Sequence, residues 1–117
     1  MNLEIRLADS ESKTALINLK NFIDRASPEG LLETKISRAE SKTGEMNAGD
    51  LLNSIKVVIE AASKPLVELV KCLQKYVDNF RTEIIIPHKK GNITIKYGKK
   101  ISPAELSELI NSILENQ

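Results

Sequence analysis

The sequence has few of the residues from which binding and cofactor sites are commonly built. Aromatic residues make up 3% of the 117-residue chain and tryptophan is absent, so the core must be aliphatic. A single cysteine excludes an intramolecular disulfide, and nothing therefore marks an oxidising compartment. The net charge of +1 provides no overall attraction to nucleic acid or to acidic lipid.

Motifs for catalysis and metal binding are also missing. One histidine, His88, and one cysteine, Cys72, cannot assemble the usual zinc ligand sets. The sequence contains no GxGxxG, P-loop or GxSxG pattern. His88 follows a predicted strand and Cys72 lies between apolar neighbours in a helical pattern, which indicates a surface histidine and a buried thiol. We therefore expect no catalytic residues, no metal and no cofactor.

The length predicts one domain over 1–117. A chain of this size can bury a core without disulfides or metal. The N-terminal residues include the charged side chains Glu4, Arg6 and Asp9 and form no apolar signal region. We expect a cytoplasmic protein.

Apolar periodicity predicts four strands and two flanking helices. The first strand, first helix and second strand form a βαβ pattern, which predicts that the two strands are parallel. Gly91-Asn92 predicts a tight hairpin between the last two strands. Ser102 and Glu105 form a capping box that begins the final helix, with Pro103 as its first residue. The predicted strands are 3–7, 31–39, 83–88 and 92–98, and the first helix is 11–25.

The segment 50–79 is almost continuously apolar and predicts a long helix. Its charges, Lys56, Glu60, Lys64 and Glu68, recur every four residues and alternate in sign. Charges at this spacing exclude a membrane span. A helix of this length would extend about 45 Å, so we expect a bend or break near Pro65, or two helices that meet there. The predicted fold is α+β, with a mixed four-stranded sheet and the order β-α-β-α-β-β-α.

Two interpretations of this predicted helix remain open. It is a core helix packed on two sides by its own domain, or it leaves one face for a protein partner or a second copy of the chain. On the second interpretation Val58, Leu66 and Leu73 are partner-binding residues.

A second candidate surface is the lysine-rich hairpin 88–100, which contains no acidic residue. Its lysines either protect a sheet edge from aggregation or bind an anionic partner. Nucleic acid is the least favoured partner, because Tyr97 is the hairpin's single aromatic residue and stacking platforms need several. The lysines are Lys89, Lys90, Lys96, Lys99 and Lys100.

The layout of strands, loop and helices also resembles a known family. A GEM tripeptide precedes an apolar segment, and an alternating strand with a glycine precedes the last helix. This arrangement is similar to the effector-associated constant component family of bacterial conflict systems, and the resemblance covers nearly the whole chain. The residues that carry it are Gly44, Glu45 and Met46 before Leu51-Leu52, and Ile93, Ile95 and Gly98 before the last helix.

The resemblance implies a non-enzymatic recognition or adaptor component of a defence module, which acts beside an effector such as a caspase-like or trypsin-like protease. It also suggests that the loop residues Gly44, Glu45, Met46 and Asn47 take part in partner binding, although an ordinary loop with one buried methionine explains them equally well. The alternatives are a small regulatory or nucleic-acid-binding domain that uses the basic hairpin, and a small enzyme with a pair of pKa-shifted carboxylates in one pocket.

Overall fold

The computed structural model describes residues 1–8, 13–38, 53–88 and 91–115. Five strands and three helices are present in these ranges, so the fold is α+β as predicted. The strands are β1 (Asn2–Leu7), β2 (Leu31–Arg38), β3 (Asn53–Ile59), β4 (Glu83–Ile86) and β5 (Ile93–Lys96). The helices are α1 (Lys13–Ala26), α2 (Ser63–Phe80) and α3 (Pro103–Glu115).

The strands form one sheet in the order β2-β3-β1-β4-β5, and every neighbouring pair is antiparallel. The predicted mixed four-stranded sheet is therefore wrong in strand number and in its parallel pair. β3 lies between β1 and β2 and is antiparallel to both, so these two strands run in the same direction without pairing. The predicted antiparallel pairing of the last two strands is confirmed: Glu83 lies opposite Lys96 and Ile86 opposite Ile93. The tight turn predicted at Gly91-Asn92 is wrong, because β4 ends at Ile86 and β5 begins only at Ile93.

The largest correction concerns the helix predicted over 50–79. Its first half contains the strand β3, and the helix begins only at Ser63. Ile55, Val57 and Ile59 are completely buried, whereas Lys56 and Glu60 are exposed, which is the period of two that a strand imposes. Positions four apart share a face in a strand as well as in a helix. The regular spacing of the charges was therefore compatible with both structures.

Pro65 does not bend or break a helix, because it is the third residue of α2. Backbone N–H groups in a first turn have no partner inside the helix, so the missing N–H of a proline is tolerated there. The boundary predicted near Pro65 does exist. It joins a strand to a helix rather than one helix to another.

Strand β2 contains an irregularity that the alternation of its sequence does not predict. Leu31 pairs with Ile59 and Glu33 pairs with Val58, so Leu32 is an extra residue without an opposite partner. Strict alternation in this strand would place Leu32 on the same face as Thr34 and Ile36, but its side chain is 66% exposed. Thr34 is buried as expected.

The core lies between one face of the sheet and the helices. α1 packs on β2 and β3, and α2 packs on β4 and β5 and contacts both other helices. The opposite strand positions carry charged residues such as Glu4, Lys35 and Lys56, as is common for an antiparallel sheet with one solvated face. Completely buried core residues include Leu16, Leu19 and Ile23 of α1 and Leu66, Leu69 and Leu73 of α2.

The predicted capping box of the last helix is confirmed. The Glu105 N–H donates to Ser102 Oγ over 3.2 Å, and the Ser102 N–H donates to Glu105 Oε1 over 3.0 Å. Among the described residues, none of the helices has the length and apolar character needed to cross a membrane.

Candidate interaction surface

One end of the sheet brings together three segments that are far apart in the chain. The N–H of Ala8, directly after β1, donates to the carbonyl oxygen of Glu83 at the start of β4, over 3.0 Å. Glu83 lies opposite Lys96, the last residue of β5. The Gln74 side chain of α2 donates to the Lys96 carbonyl oxygen over 3.2 Å. The C-terminal end of α2 is therefore attached to this end of the sheet.

Three of the chain's four aromatic residues form a cluster that extends from the core to the surface. The ring centroids of Phe22 and Tyr76 are 5.3 Å apart, and those of Tyr76 and Phe80 are 4.6 Å apart. Tyr76 is buried and donates its hydroxyl proton to the Ala15 carbonyl oxygen over 3.4 Å. Burial raises the pKa of Tyr76, and the hydrogen bond from Asn18 opposes this shift. Phe80 is 50% exposed, so the cluster presents one aromatic edge to solvent.

The fourth aromatic residue, Tyr97, lies beside the end of α2. The guanidinium carbon of Arg81 is 5.9 Å from the centre of the Tyr97 ring, within the range of a cation–π contact. Tyr97 is 49% exposed. Arg81 has the left-handed backbone conformation (φ 52°) that ends α2, and its N–H donates to the Val77 carbonyl oxygen. Glycine is the usual residue at such a position, so an arginine there is unfavourable for the backbone conformation.

Three shallow hollows adjoin one another along this surface. A hollow of about 260 Å³ is lined by Tyr76, Phe80 and Arg81, and one of about 280 Å³ by Arg81, Tyr97 and Lys96. A third, of about 300 Å³, shares Lys96. Arg81 and Lys96 thus join neighbouring hollows into one path. We call this path the aromatic–basic track, and its residues are Phe80, Arg81, Tyr97, Lys96, Lys99 and Lys100.

The charge along the track is predominantly positive. The ion pairs among the described residues are all made by cations outside the track. No described carboxylate therefore forms an ion pair with Arg81, Lys96, Lys99 or Lys100. Glu105 lines the third hollow, but its carboxylate is engaged in the capping box. The Ser102 backbone N–H, the Ser102 hydroxyl and the charge of Lys99 together lower the pKa of Glu105.

The predicted lysine patch is brought together in part. Lys96, Lys99 and Lys100 are exposed and line the same hollow. Lys89 and Lys90 lie outside the described residues. The loop residues predicted to bind a partner also lie outside them; these are Gly44, Glu45, Met46 and Asn47.

The other predicted partner-binding residues lie elsewhere. Leu66 and Leu73 lie on the core-facing side of α2 and are completely buried, so the folded domain does not present them to a partner. Burial of both was the alternative expectation, in which this segment belongs to the core. Val58 is half-buried among the outward-facing positions of β3, across from Asn2 and Glu33.

His88 contacts the backbone of α3, and Cys72 is a buried thiol. The Nε2 atom of His88 is 3.2 Å from the Ser112 carbonyl oxygen, so a proton on Nε2 is donated to α3. Burial raises the pKa of the Cys72 thiol to about 11, against a smaller opposing effect of Lys75. In the four described ranges no group of three His, Cys, Asp or Glu residues is placed to hold a metal ion.

Phe80 and Arg81 are the surface residues that the sequence-based predictions missed. The predicted helix ends at residue 79 and the next predicted strand begins at residue 83, so both residues fall between predicted elements. The signal was an aromatic residue and an arginine where a helix terminus usually has glycine. With so few aromatics in the chain, that pair is informative.

No protein-family model, no curated protein and no solved structure matches the chain. Function must therefore be inferred from the described surface and from the resemblance carried by the sequence motifs.

Proposed function

We propose that the chain is a non-enzymatic protein-interaction domain that serves as the recognition or adaptor component of a bacterial defence system. Its partner would be an effector, such as a protease. The observation that carries this proposal is the aromatic–basic track, where Phe80, Arg81 and Tyr97 lie exposed at one end of the sheet.

The composition of the track supports a protein partner. Aromatic residues and arginine are enriched at protein–protein interfaces and dominate the binding energy of many of them. The chain has only four aromatic residues, and two of these are half-exposed on the same surface. The outward positions of the sheet, by contrast, carry charged side chains that pair with each other, such as Arg6 with Glu4.

The resemblance to the effector-associated constant component family supports the biological setting. It rests on the GEM tripeptide at 44–46 and on the Ile93, Ile95 and Gly98 pattern before α3. Members of that family are thought to act beside variable effectors, and a constant partner needs a docking surface rather than a reaction centre.

A binding measurement with genetically adjacent proteins tests the proposal. Proteins encoded beside this gene, above all any protease, would be purified and titrated with the intact chain by calorimetry. We expect one of them to bind. A Phe80→Ala/Tyr97→Ala double variant should weaken that binding by about tenfold or more, since each removes an aromatic contact.

The control is Leu32→Ala, which removes an even more exposed apolar side chain from the opposite edge strand. It should leave the affinity unchanged. Equal losses from both variants, or binding that ignores Phe80 and Tyr97, would remove the track as the docking surface.

A second candidate function is a small regulatory domain that binds nucleic acid through the basic hairpin. The observation in its favour is that Lys96, Lys99 and Lys100 line one hollow. Three phosphate contacts would give a slope of about −2.7 in a plot of log affinity against log salt concentration for duplex DNA. Titration of labelled DNA and RNA at several salt concentrations measures this slope. A Lys96→Gln/Lys99→Gln/Lys100→Gln variant that binds as well as the wild type would eliminate this candidate.

A further inference from the structure

The proposed function does not say which kind of partner segment binds to the aromatic–basic track. The residues of the track indicate its chemistry. We propose that the track binds an extended acidic peptide segment of the partner protein. An apolar side chain of that segment sits beside Phe80, and its carboxylates lie along Lys96, Lys99 and Lys100. This inference rests on the proposed function, since it names the part of the partner that docks.

The hollow beside Phe80 is suited to an apolar side chain. Its lining includes Leu7 and Tyr76, which are buried core residues and give it a fixed floor. Phe80 packs edge-on against Phe22, with ring centroids 6.5 Å apart. An aromatic side chain already held by its neighbours loses little conformational freedom when a ligand covers it, and binding is stronger for that reason.

The C-terminal end of α2 determines which part of the peptide lies there. Helix C-termini carry a partial negative charge, and the last turn of α2 contains no basic residue. Asp78 lies in the same turn, but its carboxylate accepts hydrogen bonds from Gln74 and from the Gly98 N–H and does not line the hollow beside Phe80. Arg81, at the border with the second hollow, is the one charged residue of that lining, so the apolar residue of the peptide belongs beside Phe80.

Arg81 marks the change from apolar to charged contacts. It lines the first two hollows, and its guanidinium lies over the face of Tyr97. A guanidinium has several N–H donors, so it can bind a carboxylate through two parallel hydrogen bonds while its plane contacts an aromatic ring.

The remaining part of the track selects acidic residues by charge. Lys96, Lys99 and Lys100 line one hollow, in which Glu105 is the single acid of the lining and is engaged in capping α3. Glu83 adds one carboxylate to the second hollow, where Arg81 and Lys96 outnumber it. An extended chain places alternate side chains about 6.6 Å apart on one side. One such segment can therefore place alternate side chains into adjoining hollows.

The test uses short fluorescent peptides and the intact chain, with binding followed by fluorescence anisotropy. The first peptide carries one leucine followed by several aspartates spaced by serine. The second replaces the aspartates by asparagine, and the third replaces the leucine by serine. We expect the first to bind, and each of the other two to bind at least about fivefold more weakly.

Variants of the chain separate specific docking from general attraction between charges. Phe80→Ala should weaken the binding of the leucine peptide and leave the binding of the serine peptide unchanged. Lys99→Gln/Lys100→Gln should weaken both. The matched control, Lys35→Gln/Lys56→Gln, removes two exposed charges from the polar face of the sheet and should change neither affinity. Thermal melts establish that each variant is folded.

Four results would overturn the inference. The asparagine peptide could bind as well as the acidic one, or Phe80→Ala could affect the leucine and serine peptides equally. Sedimentation could instead show a dimer that Phe80→Asp dissociates, which would make a second copy the occupant of the track. If no peptide binds while an adjacent effector still binds through Phe80 and Tyr97, this inference fails and the proposed function stands.

Discussion

The strand β3 and the helix α2 come from one continuous apolar segment, yet they adopt different structures. From Ile55 to Ile59 every second residue of β3 is buried, and these residues, Ile55, Val57 and Ile59, are all β-branched. In α2 the buried residues recur at steps of three and four, as in Leu66, Leu69 and Leu73. Charges at every fourth residue therefore do not discriminate strand from helix. The apolar residues between them carry the information.

The junction between the two elements is as specific as the elements themselves. The Glu60 N–H donates to the Gly30 carbonyl oxygen over 3.0 Å, which attaches the end of β3 to the turn before β2. The same turn packs against Pro65 in the first turn of α2. The turn at Gly30 therefore contacts both the end of β3 and the start of α2.

The largest expected effect distinguishes the strand from a helix directly. Val57→Asp should unfold the domain, because an unpaired buried carboxylate has a free-energy cost comparable with the whole stability of a small domain, about 5–15 kcal/mol. Val58→Asp should retain the fold, with a loss of about 1 kcal/mol or less from its position opposite Glu33. Thermal melts followed by circular dichroism measure both.

Leu69→Asp is the matched change in α2, since Leu69 is also completely buried. It should have the same outcome as Val57→Asp. If the domain tolerates Val57→Asp as well as Val58→Asp, the assignment of this segment as a strand with alternating burial is wrong.

The second effect concerns the junction. Gly30 has φ +85°, and a Cβ atom added there would lie 2.6 Å from the Cβ of Pro65. Gly30→Ala should lower the free energy of unfolding by about 2 kcal/mol through steric overlap and backbone strain. Urea denaturation measures this loss. Gly98→Ala is the control, because Gly98 also has positive φ (+78°) but open space around its Cα; a loss equal to that of Gly30→Ala would show that Pro65 contributes nothing.

A smaller effect, of opposite sign, is expected at the start of α2. Ala62 is the N-cap residue and makes no side-chain hydrogen bond, although its extended conformation is the one that a capping side chain requires. Ala62→Asp should raise the free energy of unfolding by about 1 kcal/mol, since it supplies an acceptor and a charge suited to the helix dipole. The midpoint of thermal unfolding measures the gain. No gain would place the start of α2 elsewhere.

The smallest expected effect is a change in the pH dependence of stability. It concerns the capped start of α3, in contrast to the uncapped start of α2. The pKa of Glu105 is lowered from its ordinary value of 4.5, first by the Ser102 backbone N–H and then by the Ser102 hydroxyl. A lowered folded-state pKa means that the contribution of the carboxylate is present above that ordinary value and is lost as the pH falls through the lowered one. Glu105→Gln should therefore reduce the loss of stability on acidification from about pH 5 to about pH 3.

Urea denaturation at several pH values measures this difference. The exposed Glu108→Gln is a suitable control on the same helix and should leave the pH dependence unchanged. An equal change from both substitutions would show that the capping hydrogen bonds do not govern the titration.

Local signals predicted the parts of the fold that local sequence controls. The capping box of Ser102 and Glu105 and the hairpin between β4 and β5 depend on neighbouring residues, and both were identified. The insertion of β3 between β1 and β2 depends on pairing between distant residues, such as Leu3 with Val57. Periodicity within one segment contains no information about such pairing, so the strand order was not predictable in this way.

The candidate surface was predictable only in part for a similar reason. Lys96, Lys99 and Lys100 are close in the chain, so composition alone identified them. Arg81 and Tyr97 meet because α2 ends beside β5, and this proximity exists only in the folded chain. The bulge at Leu32 is a related case, because an extra residue in one strand is defined by the strand that it pairs with.

The central position of β1 has a consequence for how the chain assembles during synthesis. β1 is made before the other four described strands, but one of its two neighbours is β4, and Arg6 lies opposite Ile85. At translation rates of about 5–20 residues per second, several seconds separate the two. Throughout that time the nascent chain has an unpaired edge at what will become the middle of the sheet. Strand edges of this kind are sites of intermolecular pairing, so the yield of folded protein will depend on what shields β1 until the C-terminal hairpin emerges.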